Sequence, residues 1–262
     1  MRKQILTALV FGALGVASAA LAAPGDGVLN SPHNMTTYGY TDSNGRVCAF
    51  CHTPHHAATS TNVSDYLPLW SRATDTTVFT TAYASSTINA AELQETTSDK
   101  AIGPTRLCMS CHDGTIAPDQ HYGNTGTAAM LTGDNFPTLG NGAGVGAGTA
   151  GLSNDHPVGF SYTDVAVGPA TGSPSASDIS AATANQDPWI RQASVTYTGN
   201  TYNITVQDRL YFSNGKSYMT CATCHDVHNK KNTYTTTGTE PVNYLVLAPQ
   251  KDSALCLTCH IK

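Results

Sequence analysis

The chain has 262 residues, enough for one large domain or two small ones, and its 13 Lys and Arg against 18 Asp and Glu give a formal charge of −5. With 12% charged and 40% hydrophobic residues the composition is not that of a disordered chain, and its acidic balance offers no electrostatic reason to bind nucleic acid. Beyond the first residues no apolar run is long enough to span a membrane.

Those first residues read as a secretory leader. Arg2 and Lys3 form a positive start, Ile5 to Val16 a short apolar stretch, and Ala20-Leu21-Ala22 a small-x-small cleavage site. Residues 1–22 are therefore expected to be a signal peptide, with the mature chain over 23–262. An uncleaved anchor helix fits less well, because the stretch is short and runs into Pro24-Gly25-Asp26-Gly27. Arg2 and Lys3 are the only charged residues of the leader, so its removal takes the formal charge to −7. The expected location is outside the cell or at its outer surface, otherwise the periplasm.

All eight cysteines then fall in one pattern, met four times. The copies are Cys48-Ala49-Phe50-Cys51-His52, Cys108-Met109-Ser110-Cys111-His112, Cys221-Ala222-Thr223-Cys224-His225 and Cys256-Leu257-Thr258-Cys259-His260. Two thiols three positions apart can each add to a vinyl group on one edge of a porphyrin, and the histidine that follows reaches the iron as proximal ligand. Disulfides would not require a histidine after every second cysteine. Zinc sites of four cysteines would leave the four histidines unexplained, and a redox dithiol needs one motif rather than four. The pattern predicts four covalently bound haem c groups, held by Cys48, Cys51, Cys108, Cys111, Cys221, Cys224, Cys256 and Cys259, with His52, His112, His225 and His260 on the irons.

Six histidines lie outside the motifs: His33, His55, His56, His121, His156 and His228. His55 and His228 each follow a motif histidine by three residues. A tether that short, about 10 Å at full extension, does not carry a side chain round the porphyrin edge to the opposite face of its own haem. Each is expected to reach a neighbouring haem, which implies haems in contact. His33 and His156 sit in turn-like contexts, Ser31-Pro32-His33-Asn34 and Asn154-Asp155-His156-Pro157, that can aim an imidazole. His56 and His121 are read as solvated, with either able to replace one of the four. Methionine is the other common axial ligand, but the mature chain has only Met35, Met109, Met130 and Met219, and Met109 is inside a motif.

Between the second and third motifs, about 122–193, the chain is rich in Gly, Ser, Thr and Ala and includes the run from Gly140 to Gly148. That run is expected to be linker or surface loop. From Ser194 the pattern alternates. Val195 and Tyr197, a Gly199-Asn200 turn, then Tyr202, Ile204 and Val206 predict a hairpin, and Asn214-Gly215 marks a second turn. The expected fold is mostly coil with short helices and a small β-hairpin region, wrapped around a stack of four haems that serve as the core.

Several longer signatures resemble the tetrahaem cytochromes of metal-reducing bacteria, some of which polymerise outside the cell into haem-lined filaments. They are Ser31-Pro32-His33-Asn34, the run from Val47 to His55, Pro68-Leu69-Trp70, Leu107 to Thr115, Asn154 to Gly159, and Cys221 to His228. The resemblance implies bis-histidine haems in a continuous chain, with His33, His55, His156 and His228 as distal ligands. It also implies electron transfer rather than enzymatic chemistry. The expected partners are other copies of the chain arranged head to tail, together with redox proteins or extracellular minerals as donor and acceptor. A soluble periplasmic shuttle and a multihaem reductase are the alternatives. The expectation is further that one distal histidine acts between subunits. His33, ahead of every motif, is the first choice, with a return to a haem of its own chain as the alternative.

Overall fold

The computed structural model describes residues 26–29, 31–59, 66–74, 76, 78–80, 83, 87–114, 116–121, 125–127, 152, 155–197, 203–229 and 245–262. The leader, the Gly140–Gly148 run and the Gly199-Asn200 turn lie outside them. Among the described residues regular structure comes in short pieces, as the abundance of Gly, Pro and β-branched residues dictates. In chain order they are α1 (Asp26–Leu29), α2 (Ala91–Gln94), α3 (Pro104–His112), α4 (Tyr162–Val165), β1 (Ala166–Gly168), α5 (Ala176–Ala181), β2 (Asp187–Arg191), β3 (Tyr211–Ser213), β4 (Lys216–Tyr218), α6 (Cys221–Cys224) and α7 (Ala254–Cys259). No helix among them is long and apolar enough to cross a membrane.

Strands β1 and β2 pair in parallel, and β3 and β4 pair antiparallel. Asn214 and Gly215 link the second pair with φ of 49° and 77°. Two successive positive φ values are what a two-residue turn of the right twist needs, and Asn-Gly is the dipeptide that adopts them most readily. The earlier alternating segment also folds back on itself. Thr196 bridges Thr205, Tyr197 N donates to Ile204 O at 3.1 Å, and Val206 N to Val195 O at 2.9 Å.

The Gly- and Thr-rich composition of 122–193 hides core residues. Leu152, Val158, Phe160, Tyr162 and Val165 are all buried and join Phe79, Leu93 and Met109 in one apolar cluster. Elements α4, β1, α5 and β2 lie in the same stretch. Met109 and Met219 are committed to that cluster.

Two cations are sunk beside it. Lys100 is fully buried, and its Nζ donates to the carbonyls of Glu92, Glu95 and Ser98 at 2.8, 3.1 and 3.2 Å. Arg106, also fully buried, pairs with Asp99 and lies 5.7 Å from the centre of the Phe79 ring. A buried charge is tolerated when it is paired and its donors are used.

Candidate functional site

Each motif starts on a short helical turn. A turn puts residues three apart on one face, so the two thiols of a motif point the same way. The first uses a 3-10 turn over Val47–Phe50, the second α3, the third α6 and the fourth α7. In the first, third and fourth, the histidine N–H closes the turn on the carbonyl of the first cysteine, at 2.8, 3.0 and 2.8 Å. The backbone then leaves in extended form and bridges another segment: His52 to Trp70, His225 to Val246 and His260 to Ile190. In the second, the helix runs through His112 itself.

No disulfide joins any of the eight cysteines. They are neighbours in sequence order. Cys51 interacts electrostatically with Cys111, Cys108 and Cys221 are hydrogen-bonded to each other, and Cys224 interacts with Cys259. The four motifs therefore form a series, with the first and fourth at its ends. Burial pushes the Cys51 and Cys224 thiols up to about 12.

The histidines meet in twos. His52 and His228 have ring centroids 6.1 Å apart, His112 and His33 also 6.1 Å, and His260 and His156 6.3 Å. Every pair joins one motif histidine to one from outside the motifs. A metal–imidazole bond of about 2 Å on each side, with each ring nitrogen roughly 1 Å from its centroid, places two centroids about 6 Å apart across a single ion. The donor set thus fits one iron between each pair. Among the described residues no group of three or more His, Cys, Asp or Glu side chains is arranged to hold an ion, whereas a porphyrin iron asks the protein for two.

Ring tautomers agree with that fit. His52 Nδ1 lies 2.7 Å from Pro68 O, and His156 Nδ1 3.1 Å from Pro157 O. A carbonyl only accepts, so each Nδ1 carries the proton and Nε2 keeps its lone pair for a metal. His33 Nδ1 is buried with no partner. Burial above all, then His112, His225 and His228, lowers the His33 imidazole to about 3, which holds it neutral and able to ligate.

Of the sequence-expected distal ligands, His33, His156 and His228 are brought to motif histidines. His33 lies beside His112 of α3 in its own chain. His55 and His56 are exposed on the bend after the first motif. Among the described residues His55 has no ring contact with a motif histidine. His121, read as solvated, is buried. Its ring sits 4.4 Å from that of Phe50, its Nδ1 2.7 Å from Asp119 O and its Nε2 3.5 Å from Asp42 Oδ1. Both nitrogens face protein groups, and its role is packing.

Other residues fix the motifs through backbone carbonyls. Arg209 donates from Nε to Ala222 O and from Nη2 to His225 O, each at 3.1 Å, and lies 3.9 Å from Asp226. The Tyr197 hydroxyl donates to Thr223 O, and that of Tyr162 to Arg191 O at 2.7 Å. No sequence pattern marks a side chain whose partner is a main-chain carbonyl. No protein-family model matches the chain, and no curated protein matches it either.

Proposed function

We propose that the protein is an electron carrier with four haem c groups, one on each Cys-x-x-Cys-His motif, and that electrons pass along them in sequence order. The observation that carries this reading is the set of three histidine pairs, each matching a motif histidine to a non-motif histidine at the spacing of a shared ion. The eight cysteines would hold the porphyrins. His52 and His228, His112 and His33, and His260 and His156 would hold three irons, with His225 as proximal ligand of the fourth. Bound haem supplies a one-electron Fe(III)/Fe(II) couple. The chain's own contribution is position: the short turns aim thiols and imidazoles, the Pro68 and Pro157 carbonyls set tautomers, and the neighbouring cysteines keep successive sites close. Two histidines at each of three irons leave those three no open coordination position for a substrate, which favours a carrier over a reductase.

Intact-mass measurement after acid–acetone extraction tests the premise. The mature chain is expected to retain four haem masses, and fewer would overturn the reading.

Replacing His156 with alanine tests the ligand assignment. One more iron than in the native protein becomes high-spin and binds carbon monoxide when reduced, while the irons of the His52–His228 and His112–His33 pairs stay low-spin. A spectrum unchanged from the native protein's would show that His156 is not a ligand.

The same reading extends to a head-to-tail extracellular polymer. Its support is the resemblance of the sequence signatures and the exposed apolar side chains at both ends of the series. Tyr66 and Leu69, near the first motif, are 38% and 54% exposed, and Trp189 and Leu257, near the fourth, 44% and 38%. Electron microscopy of the purified protein separates filaments from monomers.

A further inference from the structure

Arg72 is the one buried arginine described here whose charge no carboxylate answers. It is 3% exposed. Its Nη1 donates to Pro118 O at 3.0 Å and to Gln120 O at 2.5 Å, and its Nη2 to Ala117 O at 2.7 Å. Its Nε is buried without a partner. All its acceptors are neutral carbonyls, and among the described residues no carboxylate lies within ion-pair distance of it. Arg46, Arg106 and Arg209 by contrast each face an aspartate. The adjacent Asp119 turns its carboxylate to Thr127 instead.

The place of this charge is set by the backbone. Ser71 N donates to Cys51 O at 2.9 Å and its Oγ to Ala49 O at 2.7 Å, while His52 bridges Trp70. Arg72 is therefore laid against the first motif, and its guanidinium reaches the segment that follows the second. The thiol of Cys51 registers the cation: burial and then Cys111 push it up, and Arg72 opposes them.

A buried positive charge favours whichever state of a neighbouring site holds one more electron, because little solvent screens it. A bis-histidine haem core carries one net positive charge when ferric and none when ferrous. One electron arrives, and no proton or bond is exchanged. Building on the four-haem reading, we infer that Arg72 sets a potential: its uncompensated charge raises the reduction potential of the haem at the Cys48–His52 motif and makes that end of the series a resting place for electrons.

Spectroelectrochemical titration of the four-haem protein tests this, with Arg72→Gln, Arg72→Lys and Ala73→Asp compared against the native chain. Ala73, the next residue, is exposed and its side chain accepts none of the Arg72 bonds, so an aspartate there adds a carboxylate one residue from the cation and removes none of its acceptors. Arg72→Gln and Ala73→Asp should each lower one component so that its oxidised-to-reduced ratio at fixed potential rises about tenfold, about 59 mV for one electron. The component that moves should be the one lost when Cys48 and Cys51 are both alanine. Arg72→Lys keeps the charge and should leave the curve in place. An unchanged curve in Ala73→Asp, or in Arg72→Gln with all four haems, overturns the inference. So does an Arg72→Lys shift as large as that of Arg72→Gln, since the cause would then be lost hydrogen bonds. If Arg72→Gln does not mature, Ala73→Asp decides. A native mass short of four haems would overturn both this inference and the reading beneath it.

Discussion

A chain in which Cys221 and Cys224 are both alanine should carry three haems and conduct from end to end orders of magnitude more slowly than the native protein. The third motif is flanked on both sides: Cys221 is hydrogen-bonded to Cys108 of the second, and Cys224 interacts with Cys259 of the fourth. Losing its cofactor opens a gap in the middle of the series. The local backbone has other supports. A reciprocal Thr220–Thr223 cap starts α6, and Arg209 and Tyr197 bind its carbonyls. The variant should therefore still fold around the remaining sites. Removing Cys256 and Cys259 instead takes a haem from one end, and electron exchange among the other three should survive. Film conductance and intact mass read both outcomes. Native conductance in the three-haem Cys221/Cys224 variant would show that electrons do not travel through the third site.

The contrast between those variants rests on an order of sites that sequence alone does not supply. The motifs are legible because the chemistry proposed for them is local, with two thiols and an imidazole within five residues. Pairing is not local. The short tether from His225 to His228 directs His228 toward another motif, but nothing in the sequence names His52 as its neighbour. Nor does the sequence name His112 as the neighbour of His33, which lies far before it in the chain and meets it only through the fold. His121 is buried because Phe50 and Asp42 reach it from distant segments. The core residues of 122–193 are hidden in its composition, because scattered Phe160, Tyr162 and Val165 among small residues show no period to read. The hairpin at Asn214-Gly215 was legible, since the dipeptide and its conformation are tied by sterics.

Replacing Gly159 with alanine should cost about 2–5 kcal/mol and disturb the fourth site. Gly159 has φ of +80°, a region where a Cβ meets the following carbonyl. It also packs directly on another backbone: a Cβ here would lie 2.6 Å from Lys100 Cα and 2.8 Å from Lys100 C. Lys100 has no room to yield. It is fully buried, its N–H is held by Phe79 O at 2.8 Å, and its Nζ is tied to three carbonyls. Gly159 itself is pinned by its N–H to Met219 O at 2.8 Å. The strain must then pass up the chain through Val158 and Pro157 to His156, three residues away. Gly39 provides the control, because its φ is +83° but nothing lies within 4 Å of an added Cβ. Alanine there should cost only the backbone term, about 1–2 kcal/mol. Thermal unfolding should rank native, Gly39→Ala and Gly159→Ala in falling order. The optical spectrum should gain a high-spin iron relative to the native protein only in Gly159→Ala, where His156 leaves His260. Equal melting of the two variants would mean that the Lys100 contact yields more readily than its bonds suggest. A native spectrum in Gly159→Ala would mean that the loop carrying His156 absorbs the change before it reaches the imidazole.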